Sequence, residues 1–139
     1  MARRDADLLA KVPLFAGLPK RHLRAVAGIA TEQDFPENAT IAKEGTGGDD
    51  FYVIVEGEAN VFRGGKRVSR MLPGDFFGEI ALLDEGPRTA TVIAETPLSA
   101  ITINRKPFTA LLAREPTIVL KMLEALATRL RNQERSLTG

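Results

Sequence analysis

Residues 74–92 read GDFFGEIALLDEGPRTATV. The stretch follows a turn at Pro73-Gly74-Asp75, passes two aromatics, Phe76 and Phe77, and changes character at Gly78, after which Glu79-Ile80-Ala81-Leu82-Leu83 is a short helix-favouring run. The sequence around it has the punctuation of strands. Turn residues recur at Pro36-Glu37-Asn38, Glu44-Gly45, Gly47-Gly48-Asp49, Glu56-Gly57, Gly64-Gly65 and Glu95-Thr96-Pro97, and the segments between them are rich in β-branched and aromatic residues. Phe51 to Val55 is apolar throughout, and Val61-Phe62 followed by Arg63-Gly64-Gly65-Lys66 reads as a hairpin leading into Val68 and Met71-Leu72. About seven or eight short strands at this spacing predict an antiparallel sandwich or barrel over residues 31–103, interrupted by one helical turn.

The residue types at the interruption suggest its purpose. The first amides after Gly78 lack intrahelical partners and point outward at the positive end of the local dipole, an arrangement that binds a phosphate. Glu79 can accept a hydrogen bond from a sugar hydroxyl. Arg88 can lay a charge-assisted contact on a phosphate oxygen, and Thr89 adds a hydroxyl beside it. Gly78 and Glu79 at one end and Arg88 and Thr89 at the other would enclose a small anionic ligand bearing hydroxyls. Ile80, Ala81, Leu82 and Leu83 would pack the turn onto the barrel.

Outside the strands the pattern is helical. In residues 1–30, Leu8 and Leu9 precede Pro13-Leu14-Phe15, the pattern breaks at Gly17, and Leu23, Val26 and Ile29 recur after Pro19. His22 falls on the expected exposed face of that segment. Over residues 104–137, Asn104 is a candidate N-cap, Lys106-Pro107 opens a first helix, and Pro116 separates it from a longer one running toward Arg135. In the longer helix Val119, Leu123, Leu126, Leu130, Gln133 and Leu137 alternate at spacings of four and three, a heptad seam suited to a second copy of the chain, while Ile118, Met122 and Ala125 lie on a neighbouring face that can meet the domain.

Composition removes other chemistry. The chain has 139 residues, enough for one domain spanning 1–139, and its 19 basic against 18 acidic residues produce no broad basic field for nucleic acid or membrane surfaces. Without cysteine and with the single His22 there is no thiolate or multi-histidine metal site and no cysteine nucleophile. Asp49-Asp50 and Asp84-Glu85 read as solvated turn carboxylates rather than an acid/base pair, and Gly64-Gly65-Lys66-Arg67 lacks the Ser/Thr and upstream glycine of a P-loop. The longest apolar run, Phe51 to Val55, has five residues, against the ~20 of a membrane helix. The opening MARRDADLLAKVPLF carries acidic residues early and Lys11 breaks its apolar stretch, which does not suit a secretory signal and, with the lack of cysteine, predicts a cytoplasmic setting.

The string FGEIALLDEGPRTATV resembles the phosphate-binding cassette of cyclic nucleotide-binding domains: Phe-Gly-Glu, a few small or apolar residues, a short loop, then Pro-Arg-Ser/Thr/Ala-Ala-Thr. The Arg falls nine residues after the Glu, inside PRTATV. The likeness covers nearly the whole chain, since LLAKVPLFAGLPKRHLRAVA is similar to the family's leading helices and KEGTGGDDFYVIVEGEANVF to its glycine-punctuated strands.

The resemblance implies a mainly β fold with flanking helices: an antiparallel β-barrel or jelly roll (double-stranded β-helix) with N-terminal helices, a short phosphate-binding helix within a cassette at 76–92, and two C-terminal helices. It implies a cyclic purine nucleotide as ligand, with no metal and no catalysis. Glu79 would take the ribose 2′-hydroxyl and Arg88 the cyclic phosphate, with backbone amides of Gly78, Ile80, Ala81 and Thr89 completing the cradle. Thr89 permits cyclic GMP, because its hydroxyl can accept from the 2-amino group of a syn guanine, but family members with Ser or Thr here include cyclic AMP binders, and cyclic AMP is the expected ligand. The base would lie against Val68 and Leu72 and be capped from the last helix by Gln133, with Arg131 and Arg135 as alternatives. Binding would reposition the helices beyond Asn104 around Phe108, Leu111 and Leu112. Relatives join this domain to an effector such as a DNA reader or a kinase. The chain stops at Gly139, where catabolite-activator-type regulators continue into their DNA-binding domain, so the expectations are a free-standing sensor acting through an effector protein or the sensory part of a transcription regulator. A ligand-free dimerisation module of the same fold is the alternative, and DNA binding by this chain alone is not expected.

Overall fold

The computed structural model describes residues 2–84 and 86–138, without the side chains of residues 2–4, 129 and 135–138. The chain divides into two compact units, one of Ile29–Phe108 and one of Met1–Gly28 with Thr109–Gly139.

The first unit is two four-stranded antiparallel sheets. Strands β1 (Thr31–Phe35), β8 (Leu98–Asn104), β3 (Asp50–Glu56) and β6 (Phe76–Phe77) form one, in the order β1-β8-β3-β6. Strands β2 (Thr40–Ala42), β7 (Thr91–Ala94), β4 (Ala59–Arg63) and β5 (Lys66–Met71) form the other, in the order β2-β7-β4-β5. The period-two alternation of a strand sends Tyr52 and Ile54 of β3, with Leu98 and Ala100 of β8, into one core with Ala42, Ala59, Val92 and Ala94 of the second sheet. Phe51 and Val53, on the opposite face of β3, are also fully buried, which is why residues 51–55 carry no polar alternation. Tyr52 stacks on Phe77 with ring centroids 4.8 Å apart and meets Phe35 edge-on at 6.1 Å. Asn104 caps α3 (Arg105–Arg114) as expected, its Oδ1 accepting from the Lys106 amide at 3.1 Å.

The second unit is helical. α1 (Ala2–Leu9) and α2 (Lys20–Gly28) bury Leu9, Leu23 and Val26, and α4 (Pro116–Thr138) follows α3 after the break at Pro116. Gly17 lies against α4, where an added Cβ would stand 3.6 Å from Ala125 Cβ. His22 corrects the sequence expectation of an exposed face: it is 5% exposed, and its Nε2 is buried with no hydrogen-bond partner. The 3.6-residue period explains this, since His22 lies one turn before Val26 and so shares the buried stripe. On α4, Ile118 and Met122 are buried while Leu120, Leu123 and Leu130 are exposed. Val119 and Leu126 are half-buried and Gln133 is exposed. The side chains of Leu137 and Arg135 lie outside the described residues.

Candidate functional site

The helical interruption is a single 3-10 turn, Glu79–Leu82, entered from β6 through Gly78 at φ 84°. Pairing of Phe76 and Phe77 with Val53 and Tyr52 fixes its start on the sheet. A 3-10 helix turns every three residues, so it presents one side chain per turn to the core. That side chain is Leu82, 2% exposed, whereas Ile80 and Leu83 are 70% and 50% exposed and do not pack the turn onto the barrel as expected. The Ala81 amide donates back to the Gly78 carbonyl at 3.0 Å, so this expected cradle donor is already engaged within the turn.

Arg88 is held from several sides. Its amide donates to the Thr46 carbonyl and its carbonyl accepts from the Gly45 amide, both at 2.8 Å, so the PRT segment lies along the Gly45–Gly48 loop. Its guanidinium Nη2 donates to the Asp50 carbonyl at 2.7 Å. The space it occupies exists because two flanking residues have no side chain. A Cβ at Gly78 would stand 2.6 Å from Arg88 Nη1 and 2.7 Å from the Asp50 carbonyl oxygen. A Cβ at Gly48 would stand 2.8 Å from both Cζ and Nη2. Glu79, Arg88 and the turn line a common opening, and Glu79 Oε2 is buried.

That opening is a cavity of about 710 Å³. Gly78, Glu79, Ile80, Ala81, Arg88 and Thr89 all line it, as does Val68. Its apolar wall comes from the second sheet: Ala42, Val61, Met71 and Val92. Leu72 is not among the lining residues. The chain turns there, with the Leu72 amide donating to Asp75 Oδ2 at 2.8 Å, and Met71, the last residue of β5, is on the wall with Val68 and Ser69. Gln133 and Arg131 lie exposed on α4, in the helical unit.

Two groups of residues were not anticipated. Asp49 and Asp50, expected to be solvated, are engaged. Arg105, the first residue of α3, donates from its amide to the Asp49 carbonyl at 2.9 Å and from Nη2 to Asp49 Oδ1 at 3.2 Å, and its Nη1 reaches the Ala81 carbonyl at 3.5 Å. Asn104 Nδ2 donates to Asp50 Oδ1 at 2.9 Å. The Asp50 carbonyl therefore holds the Arg88 guanidinium, while the Asp50 carboxylate and Asp49 hold the start of α3. Their adjacency to an apolar strand that begins at Phe51 was the available signal. The Tyr52 hydroxyl donates to Asp50 Oδ2 at 3.4 Å, and burial, followed by the Asp50 charge, pushes the phenol up to about 12. Arg63 also lines the cavity, with Nε donating to the Thr89 carbonyl at 3.2 Å. Glu85 lies outside the described residues.

A two-sheet jelly roll whose strand ladder is broken by one short turn, with a glycine-flanked arginine and a carboxylate at a cavity of nucleotide size, defines a class of ligand-binding regulatory domain. The chain belongs to the cyclic nucleotide-binding domain family, whose model matches residues 32–115. It is 31% identical over 136 residues to a CRP-like cAMP-activated global transcriptional regulator of Mycobacterium tuberculosis, covering 94% of this chain and 61% of that protein. It is 33% identical over 125 residues to a cAMP-dependent protein kinase regulatory subunit of Pyricularia oryzae, covering 88% of this chain and 32% of that one. Its fold is similar to the N-terminal domain of a transcriptional regulator from Streptomyces coelicolor A3(2), with a TM-score of 0.84 and 29% identity over 94% of this chain and 95% of that one. The chain thus spans about three fifths of the bacterial relative and a third of the kinase subunit. These relatives are regulatory proteins. No helix among the described residues is long and apolar enough to cross a membrane.

Proposed function

We propose that the chain is a cytoplasmic, non-catalytic sensor of a cyclic purine nucleotide, preferring cyclic AMP over cyclic GMP, and that ligand binding repositions its C-terminal helices. The observation that carries this reading is Arg88, its guanidinium held between Gly48 and Gly78 and its side chain lining the same cavity as Glu79. Nη2 is fixed on the Asp50 carbonyl, so the guanidinium is oriented before ligand arrives. The singly charged cyclic phosphate would take the remaining donors of Arg88, with amides of Gly78, Ile80 and Thr89 around it, and Glu79 would accept from the ribose 2′-hydroxyl. The 3′,5′ ring fixes the distance between phosphate and 2′-hydroxyl that Arg88 and Glu79 must span, and a linear nucleotide does not. The description of both relatives as cAMP-responsive supports the preference for cyclic AMP.

The route to the helices follows from Asp49 and Asp50. A ligand that draws Arg88 toward its phosphate acts on the Asp50 carbonyl, and through Asp49 and Asp50 on Arg105 and Asn104, which open α3. Only a difference in ligand affinity between two settings of that contact is needed. The exposed leucines of α4, Leu123 and Leu130, support self-association through the heptad seam, with an effector protein as the further partner. No chemistry on the ligand is proposed. Thermal melts test the reading: cyclic AMP at about 100 times its dissociation constant should stabilise the protein by about 2.7 kcal/mol. An unchanged melting temperature with both cyclic nucleotides would support the alternative, a ligand-free dimerisation module.

A further inference from the structure

The cavity holds a second guanidinium that the phosphate cradle does not use. Arg63 ends β4 two residues beyond Val61, and both line the cavity wall, as period-two alternation requires. Two strand residues span roughly 7 Å, about the length of a purine. A flat ring lying on Val61, Val68 and Met71 would therefore bring one edge to Arg63.

The side chain is positioned for that contact. Its Nε donates to the Thr89 carbonyl at 3.2 Å, which leaves Nη1 and Nη2 as a pair of parallel donors. The hairpin behind it is pinned, with the Gly64 amide donating to Glu44 Oε1 at 3.0 Å and the Glu44 amide to Thr91 Oγ1 at 2.9 Å. Among the described residues Arg63 forms no ion pair, so no carboxylate there competes for these donors.

We propose that Arg63 reads the base, giving guanine a contact that adenine cannot match, and so limits how strongly the site discriminates against cyclic GMP. The inference rests on the cavity being a cyclic nucleotide site. A guanidinium has donors only, and must face acceptors. Guanine presents two on one edge, O6 and N7, and accepts a bidentate pair; adenine presents N7 beside the N6 amino group, itself a donor. Thr89, next to the anchor, adds a hydroxyl that can accept from the guanine 2-amino group. The phosphate is left to Arg88, whose guanidinium lies between the two glycines.

The test titrates the full chain, and its Arg63→Ala, Arg63→Lys and Thr89→Ala variants, with cyclic AMP, cyclic GMP and cyclic IMP, which keeps O6 and N7 but lacks the 2-amino group. Arg63→Ala should raise the ratio of cyclic AMP to cyclic GMP affinity about tenfold and the ratio to cyclic IMP by a similar factor. Arg63→Lys should raise both ratios less, and Thr89→Ala should affect cyclic GMP more than cyclic IMP. If Arg63→Ala weakens all three nucleotides by one common factor, or none of them, Arg63 only holds the Thr89 carbonyl or contacts solvent, and the proposal is overturned. Failure of the unsubstituted chain to bind any of the three would overturn the reading of the cavity itself, a result distinct from loss of selectivity.

Discussion

At Arg88 the guanidinium has room only because Gly48 and Gly78 carry no side chain, and the two glycines differ in what stands behind them. At Gly48 the three atoms nearest an added methyl all belong to the Arg88 side chain, which can shift to make room. Gly48→Ala should therefore leave the melting temperature almost unchanged and weaken cyclic nucleotide binding about tenfold or more, by losing an oriented charge contact. At Gly78 the methyl would also meet the Asp50 carbonyl oxygen at 2.7 Å, and the backbone is at φ 84°. Gly78→Ala should cost about 1 to 3 kcal/mol of stability as well as affinity. Arg88→Ala should weaken binding by about 2 to 5 kcal/mol through the unpaired phosphate charge; a loss of less than threefold in a calorimetric titration would put Arg88 outside the site. Tyr52 carries a pH prediction. Its phenol titrates near 10.0 when unfolded and about 12 when folded, so the unfolded chain releases the proton first. Its contribution to stability is complete below pH 10 and is lost as pH rises toward 12. Melts across that window should fall more steeply for the native chain than for Tyr52→Phe.

Among the elements, the interruption at 79–82 was legible because a helix-favouring run cannot continue a strand ladder, and Gly78, Glu79 and Arg88, singled out in the sequence, come together at one cavity. The tightness of the turn was not, because propensity does not distinguish a 3-10 turn from an α-helix, and that difference exposes Ile80 and engages the Ala81 amide. At the end of β5 the wall residue is Met71 rather than Leu72, which lies past the strand where the chain turns. Asn104 behaved as the N-cap its side chain suits, but its second bond, to Asp50, could be seen only in three dimensions. At α3, Asn104→Ala should remove both bonds and lower stability by about 1 kcal/mol. For α4, a Leu123→Glu, Leu130→Glu double substitution should convert the dimer proposed here to a monomer by analytical ultracentrifugation without altering the cyclic nucleotide affinity of the sheet unit. A native chain that sediments as a monomer at all concentrations would remove the seam as an interface.

In the whole molecule, the sheet unit of Ile29–Phe108 carries every residue of the proposed cradle, and the helical unit carries the leucine seam and Gln133. The strand punctuation made the strands legible but not their pairing, since of the glycine-marked turns only Gly64-Gly65 joins two strands that pair, β4 and β5, while those at Gly45–Gly48, Gly57 and Gly74 pass from one sheet to the other. Less legible were contacts made by residues distant in sequence: Arg63 with Thr89, Arg105 with Asp49, and the burial of His22, which depends on the face α2 turns inward. The base-cap role that the resemblance implies for Gln133 is tested by Gln133→Ala, which should change the ratio of cyclic AMP to cyclic GMP affinity more than their sum; equal losses would make it a packing residue. The central claim is that the 3′,5′-cyclic phosphate itself is recognised. Isothermal titration calorimetry of the 139-residue chain with cyclic AMP and with linear AMP tests it most directly. Saturable binding of cyclic AMP, with linear AMP bound at least about a hundredfold more weakly, is the predicted result, a difference of about 2.7 kcal/mol. Equal affinity for the two, or heat from neither, would contradict it.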